Sequence, residues 1–157
     1  MGLVYLITEF EAFLRNILAY TLSSNPIILC SCRKNITYED IVKAQDLDEV
    51  KKQIIEKEIS DIINQDIEEV NKYFVDKFNI DLSKFVDWSE FKERFYRRNI
   101  LIHNSGIPNK LYARKTGNLG TEKVEITREY LADSIKMFEN IAENVAESLS
   151  GYLQKVG

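Results

Sequence analysis

The chain has 157 residues, the size of one ordinary domain. Apolar residues make up 45% and charged residues 29%, the balance of a soluble globular protein. Six Gly and two Pro exclude fibrous classes, eight Phe and eight Tyr exclude disorder, and a net charge of −4 argues against a general nucleic-acid binder.

Taken in chain order, Leu3, Leu6, Phe10, Phe13 and Ile17 recur three and four residues apart, which predicts a helix that begins almost at once. Glu9, Glu11 and Arg15 interrupt that apolar start, so it reads neither as a secretion signal nor as a membrane span. Leu6 stands where a myristoylation signal needs Ser or Thr. Such an early helix is expected of a domain excised from a longer protein or lying at one end of it. Ser23-Ser24-Asn25-Pro26 stops the helix. Cys30 and Cys32 form a C-x-C too sparse for a zinc site and too close to pair, so reduced thiols and a cytoplasmic location are expected.

Thr37 is placed to cap a helical turn containing Glu39 and Asp40. From Asp48 onward, Val50, Ile54, Ile55, Ile59, Ile62, Ile63, Ile67, Val70, Phe74 and Phe78 keep the helical period, with a break expected at Asn64-Gln65-Asp66. Asp87-Trp88-Ser89-Glu90 resembles a capping box that launches a helix through Phe91 and Phe95 to about His103. Residues 104–126 hold Pro108 and three Gly without a helical period, so they read as a long functional loop. Lys123-Val124-Glu125-Ile126 is the one candidate for a short strand. A last helix opens near Thr127 and carries Leu131, Ile135, Phe138, Ala142, Val145, Leu149 and Tyr152. The expectation is one all-α domain over residues 1–157, a bundle of four or five helices with a long loop after the helix that ends near His103.

The net charge conceals a division. Residues 36–90 carry seven basic and fifteen acidic groups, whereas residues 92–128 carry nine basic groups against Glu93, Glu122 and Glu125. A local basic patch attracts phosphates within about 8–10 Å whatever the global charge. The basic stretch also holds the chain's single histidine, within Arg97-Arg98-Asn99-Ile100-Leu101-Ile102-His103-Asn104-Ser105-Gly106. Histidine suits proton transfer near neutral pH, and arginine holds phosphate through a fixed fork of donors. The plainer alternative is a helix C-terminus where cations complement the dipole. Gly117-x-x-Gly120-Thr121 lacks the strand and lysine of a phosphate-binding loop. The acidic run around Asp61, Asp66, Glu68 and Glu69 reads as a solvated helix face, and neither a metal nor a cofactor is expected.

Arg98-Asn99-x-x-x-His103 resembles the R-x4–6-H motif of the HEPN superfamily (higher eukaryotes and prokaryotes nucleotide-binding). The segment Asn104 to Gly117 is similar to the post-motif loop of prokaryotic HEPN groups found with defence and toxin systems. Phe10-Glu11-Ala12-Phe13-Leu14-Arg15 resembles their first helix. The resemblance implies an all-α HEPN fold and a metal-independent endoribonuclease that uses the substrate's own 2′-hydroxyl as nucleophile. It implies His103 as general base or acid, Arg98 holding the scissile phosphate, and Asn99 orienting His103 or the phosphate. Glu11 is a candidate polar partner from the first helix, with a salt-bridge role as the alternative.

RNA contacts are expected from Arg97, Asn104, Lys110, Tyr112, Arg114 and Lys115, with Tyr112 either stacking on a base or pinning the loop. The partners implied are RNA, a second copy in a homodimer, and an antitoxin or neighbouring defence protein; no membrane is implied. Ser105 occupies the position where some antitoxin-controlled members carry a modifiable Tyr, so that mode of control is not expected. Two other readings stand beside the nuclease: a non-catalytic HEPN-type RNA-binding or dimerisation module, and a plain helical interaction domain. Residues 98 and 103 are about 140° apart on a regular helix. They meet at one phosphate only if the helix unwinds after Ile102 or a second copy supplies the missing group.

Overall fold

Two acidic caps and one interrupted period account for the middle of the chain in the computed structural model, which describes residues 2–32 and 35–156. The side chain of Asp46 accepts from the Glu49 amide and starts helix α3, Leu47–Ile63. Asp66 accepts from the Glu68 amide and starts α4, Ile67–Phe78, so the expected break falls at Asn64 to Asp66. Asn79, left-handed at φ 57°, closes α4. Before these, α1 runs over Gly2–Ser24, a 3₁₀ turn over Pro26–Ser31, and α2 over Tyr38–Lys43 behind a reciprocal Thr37–Asp40 capping box. After them come a 3₁₀ turn over Leu82–Lys84, then α5 over Trp88–His103, α6 over Lys110–Thr116 and α7 over Arg128–Val156.

The regular structure among the described residues is all helical, with no strand. Five helices are long, α2 is the short helix expected behind Thr37, and α6 is an addition to the four or five expected. Lys123 to Ile126 is irregular chain held by one backbone bond, from the Val124 amide to the Gly106 carbonyl at 2.9 Å. No helix among the described residues is long and apolar enough to cross a membrane.

The chain divides into two compact units, and α1 and α7 each contribute to both. One unit joins the start of α1 through Glu11 with Asp81–Val145; the other comprises Ala12–Ile80 with the chain from Ala146 onward. In the first, Leu3, Ile7, Leu82, Phe91, Phe138 and Ile141 are buried. Its centre is aromatic: Phe10 meets Phe91, Phe95 and Phe138 with ring centroids 5.6, 6.4 and 5.0 Å apart. In the second, Leu14, Leu18, Leu22, Ile55, Ile59, Phe74, Phe78 and Leu149 are buried. There the Cys32 thiol donates to the buried Glu58 carboxylate at 3.1 Å, and Cys30 and Cys32 are both free thiols.

The buried stripe of α1 is Leu3, Ile7, Phe10, Leu14 and Leu18, not Leu3, Leu6, Phe10, Phe13 and Ile17. Both sets step by three or four; they share Leu3 and Phe10 and differ by one residue at the other three positions. In this apolar helix the period alone does not fix the face, and Leu6, Phe13 and Ile17 flank the buried stripe, half-covered.

Candidate functional site

Asp87 caps α5 by accepting from the Glu90 amide at 3.0 Å. Glu90 does not complete the box in the usual way: its carboxylate takes a hydrogen bond from Arg94. Arg94 lies on the apolar face of α5 and is buried, an arrangement the sequence did not suggest. Its guanidinium donates to the Ser134 hydroxyl at 3.2 Å and to the Glu90 carbonyl at 2.8 Å, and lies over the Tyr130 ring. Buried charge persists only when its donors are occupied; here α5 and α7 supply the partners.

The helix stays regular to its last residue. The Asn104 amide donates to the Ile100 carbonyl at 2.9 Å, so the chain does not unwind after Ile102, and His103 ends a helical turn. Ser105 and Gly106 then adopt left-handed backbone at φ 52° and φ 80°, and the Gly106 amide also reaches the Ile100 carbonyl. The turn sends the chain back along α5. Asn109 caps α6 by accepting from the Tyr112 amide at 2.8 Å, and Gly117, left-handed at φ 73°, ends it. The segment expected as an unbroken loop therefore contains a helix of two turns.

Between α5 and α6 lies a cavity of about 300 Å³. Tyr96, Asn99, Ile100 and His103 form one wall, one stripe of α5 at helical spacing. Asn109, Leu111, Tyr112 and Lys115 form the other. Asn99 and His103 are exposed there, and the Lys115 ammonium lies 5.4 Å from the Tyr96 ring centroid. Arg98 does not line this cavity. Its guanidinium donates to the Glu11 carboxylate at 2.6 Å, while its Nε is buried without a partner. Thus Asn99, His103 and Lys115 come together, whereas Arg98 sits on another face with Glu11.

Two residues expected at RNA are engaged within the fold. Tyr112 is 2% exposed, and its hydroxyl donates to the Glu93 carboxylate at 2.6 Å; a ring so covered has no face for a base, and it anchors α6 to α5. Arg97 is held by Glu93 at 2.6 Å, by the Glu125 carbonyl at 3.2 Å and against the Tyr130 ring at 4.1 Å. It belongs to the interior of the basic stretch. Asn104 turns its side-chain amide onto the Ile107 carbonyl. Lys110 and Arg114 stand exposed on α6 with Lys115, a short helix with three cations and no acid. No cluster of three or more His, Cys, Asp or Glu with metal-binding geometry occurs among the described residues.

Glu93 is the residue that sequence reasoning missed. Both of its oxygens are used, one by Tyr112 and Arg97 and the other by Tyr130 at 2.6 Å. Burial, then the bond to Glu93, pushes the Tyr112 hydroxyl from its usual value near 10 up to about 12, and Tyr130 is raised by the same causes. Because the folded state keeps Tyr112 neutral, its contribution is complete below about pH 10 and is lost as pH rises from there through 12. Stability is expected to fall across that window, and Tyr112→Phe to flatten the fall; urea midpoints measured from pH 9 to 11 on both proteins check it.

No family model, curated protein or solved structure matches the chain.

Proposed function

We propose that the chain is a HEPN-type endoribonuclease that cleaves RNA without a metal, through attack of the substrate's own 2′-hydroxyl. The observation that carries the reading is the cavity in which the only histidine shares walls with Asn99 and Lys115. His103 takes the proton from the 2′-hydroxyl, whose oxygen then forms a bond to phosphorus as the bond to the 5′-oxygen breaks, and the departing 5′-oxygen takes a proton from water. The Lys115 ammonium stabilises charge growing on the phosphate. Lys110 and Arg114 hold the flanking backbone, and Asn99 orients the imidazole or the phosphate. The products are a 2′,3′-cyclic phosphate and a 5′-hydroxyl.

Arg98 enters this reading from a facing copy. A regular α5 keeps Arg98 and His103 of one chain on different faces, so a two-fold pair brings Arg98 of one to His103 of the other. The scissile phosphate then competes with Glu11 for the guanidinium. Mixing His103→Ala with Arg98→Ala is expected to restore part of the activity that each lacks alone. Light scattering that finds a monomer still cutting RNA removes the dimer.

The test of the activity is incubation of the purified protein with mixed RNA in EDTA, followed by end-group analysis. Cyclic phosphate ends support the reading; cleavage lost in chelator and restored by magnesium or manganese overturns it. The contact between Glu11 and Arg98 favours a second reading, a non-catalytic RNA-binding module whose arginine is a structural partner. That reading expects RNA affinity that falls with salt and no cleavage. An antitoxin or neighbouring defence protein as partner follows from the resemblance alone, and action in the cytoplasm from the reduced thiols expected of Cys30 and Cys32.

A further inference from the structure

Half of the cavity wall belongs to α6 and its cap Asn109, and α6 is a helix of seven residues. A helix so short does not hold itself in water, so something must fix it against α5. Glu93 is placed to do so. It lies one turn before Tyr96 and Arg97 on α5, its side chain is largely covered, and it accepts from the Tyr112 hydroxyl at 2.6 Å. Tyr112 is the buried residue of α6. The other oxygen of Glu93 accepts from Tyr130 at the start of α7, and Arg97 closes the cluster through the Glu125 carbonyl. One carboxylate thereby joins α5, α6 and the first turn of α7.

We infer that Glu93 is the positioning residue of the candidate site, acting through Tyr112 to hold α6 over the α5 face that carries Asn99 and His103. Glu93 itself does not line the cavity, so it acts on the site only through α6. The bonds it accepts are charge-assisted and partly shielded from water, the class that contributes most per bond. Without them, Leu111 and Lys115 lose their fixed place opposite His103, while the aromatic centre around Phe10, Phe91 and Phe138 is untouched. The consequence for RNA rests on the function proposed above; the consequence for α6 does not.

Hydrogen exchange on the whole protein separates the two. In Glu93→Gln, amides of residues 110–116 are expected to exchange about tenfold faster or more, with residues 138–149 unchanged. Tyr112→Phe, which deletes one hydroxyl and keeps the ring, is expected to show the same local change to a smaller degree. It decides the matter if Glu93→Gln does not fold. With a mixed-sequence RNA oligonucleotide, Glu93→Gln is expected to raise KM several-fold more than it lowers kcat, because Lys115 and its neighbours bind before they catalyse. Glu93→Asp, which keeps the charge, is expected to recover part of that loss. Protection of α6 unchanged in both Glu93→Gln and Tyr112→Phe overturns the inference, as does an equal loss of protection in residues 138–149. Local loosening of α6 in a parent protein that never cuts RNA leaves the positioning role standing and removes the nuclease.

Discussion

His103→Ala is expected to reduce RNA cleavage by about 10²–10⁴-fold, the usual loss when a general acid or base is removed. No second histidine exists in the chain to take over proton transfer. The side chain is exposed at the last position of α5, so its removal leaves no cavity in the core and the melting temperature stays within a degree or two. The checking measurement is single-turnover cleavage of one RNA by both proteins, with circular dichroism melts alongside. A variant as active as the parent removes His103 from the chemistry, and one that unfolds transfers the residue to a structural role.

The largest expected loss of stability belongs to Phe91→Ala. Phe91 is fully buried and its ring meets four others: Phe10 at 5.6 Å, Trp88 at 5.6 Å, Phe95 at 5.3 Å and Phe138 at 4.9 Å. Truncating a phenylalanine in such a place costs about 3–5 kcal/mol, through lost burial and the void left behind. Domains of this size hold about 5–15 kcal/mol in all, so the variant loses about a fifth of its stability or more. Urea unfolding is the measurement, with the midpoint expected to fall and the slope to stay constant. A drop under 1 kcal/mol would mean that neighbouring rings close the gap.

What the sequence made legible was local. Helix α5 begins and ends where its cap and its histidine indicate, because Asp87 acts on an amide three residues away. The break between α3 and α4 is legible at Asp66 for the same reason. Helix α6 was not, since two turns are too few to display a period, and its Lys, Arg and Gly read equally well as loop. The pairing of the site was hidden by distance along the chain. Glu93 meets Tyr112 and Tyr130 across 19 and 37 residues, and Arg98 meets Glu11 across 87. The motif residues themselves were identifiable as a group; which of them share a cavity depends on the face each occupies, and a regular α5 separates Arg98 from the rest.

The way α1 and α7 contribute to both units has a consequence for synthesis. Neither unit is an unbroken stretch of chain: one needs α1 residues up to Glu11 together with 81–145, and the other needs residues from Ala146 onward to join 12–80. Domains generally assemble as the ribosome releases them, but here α7 is the last described element to emerge and both units need it. Until then the second unit lacks its buried Leu149, and Phe10 and Phe91 lack Phe138. The nascent chain therefore carries two unfinished apolar faces at once. Truncation within α7 before Val145 is expected to leave both incomplete, whereas truncation beyond it strips only the second unit.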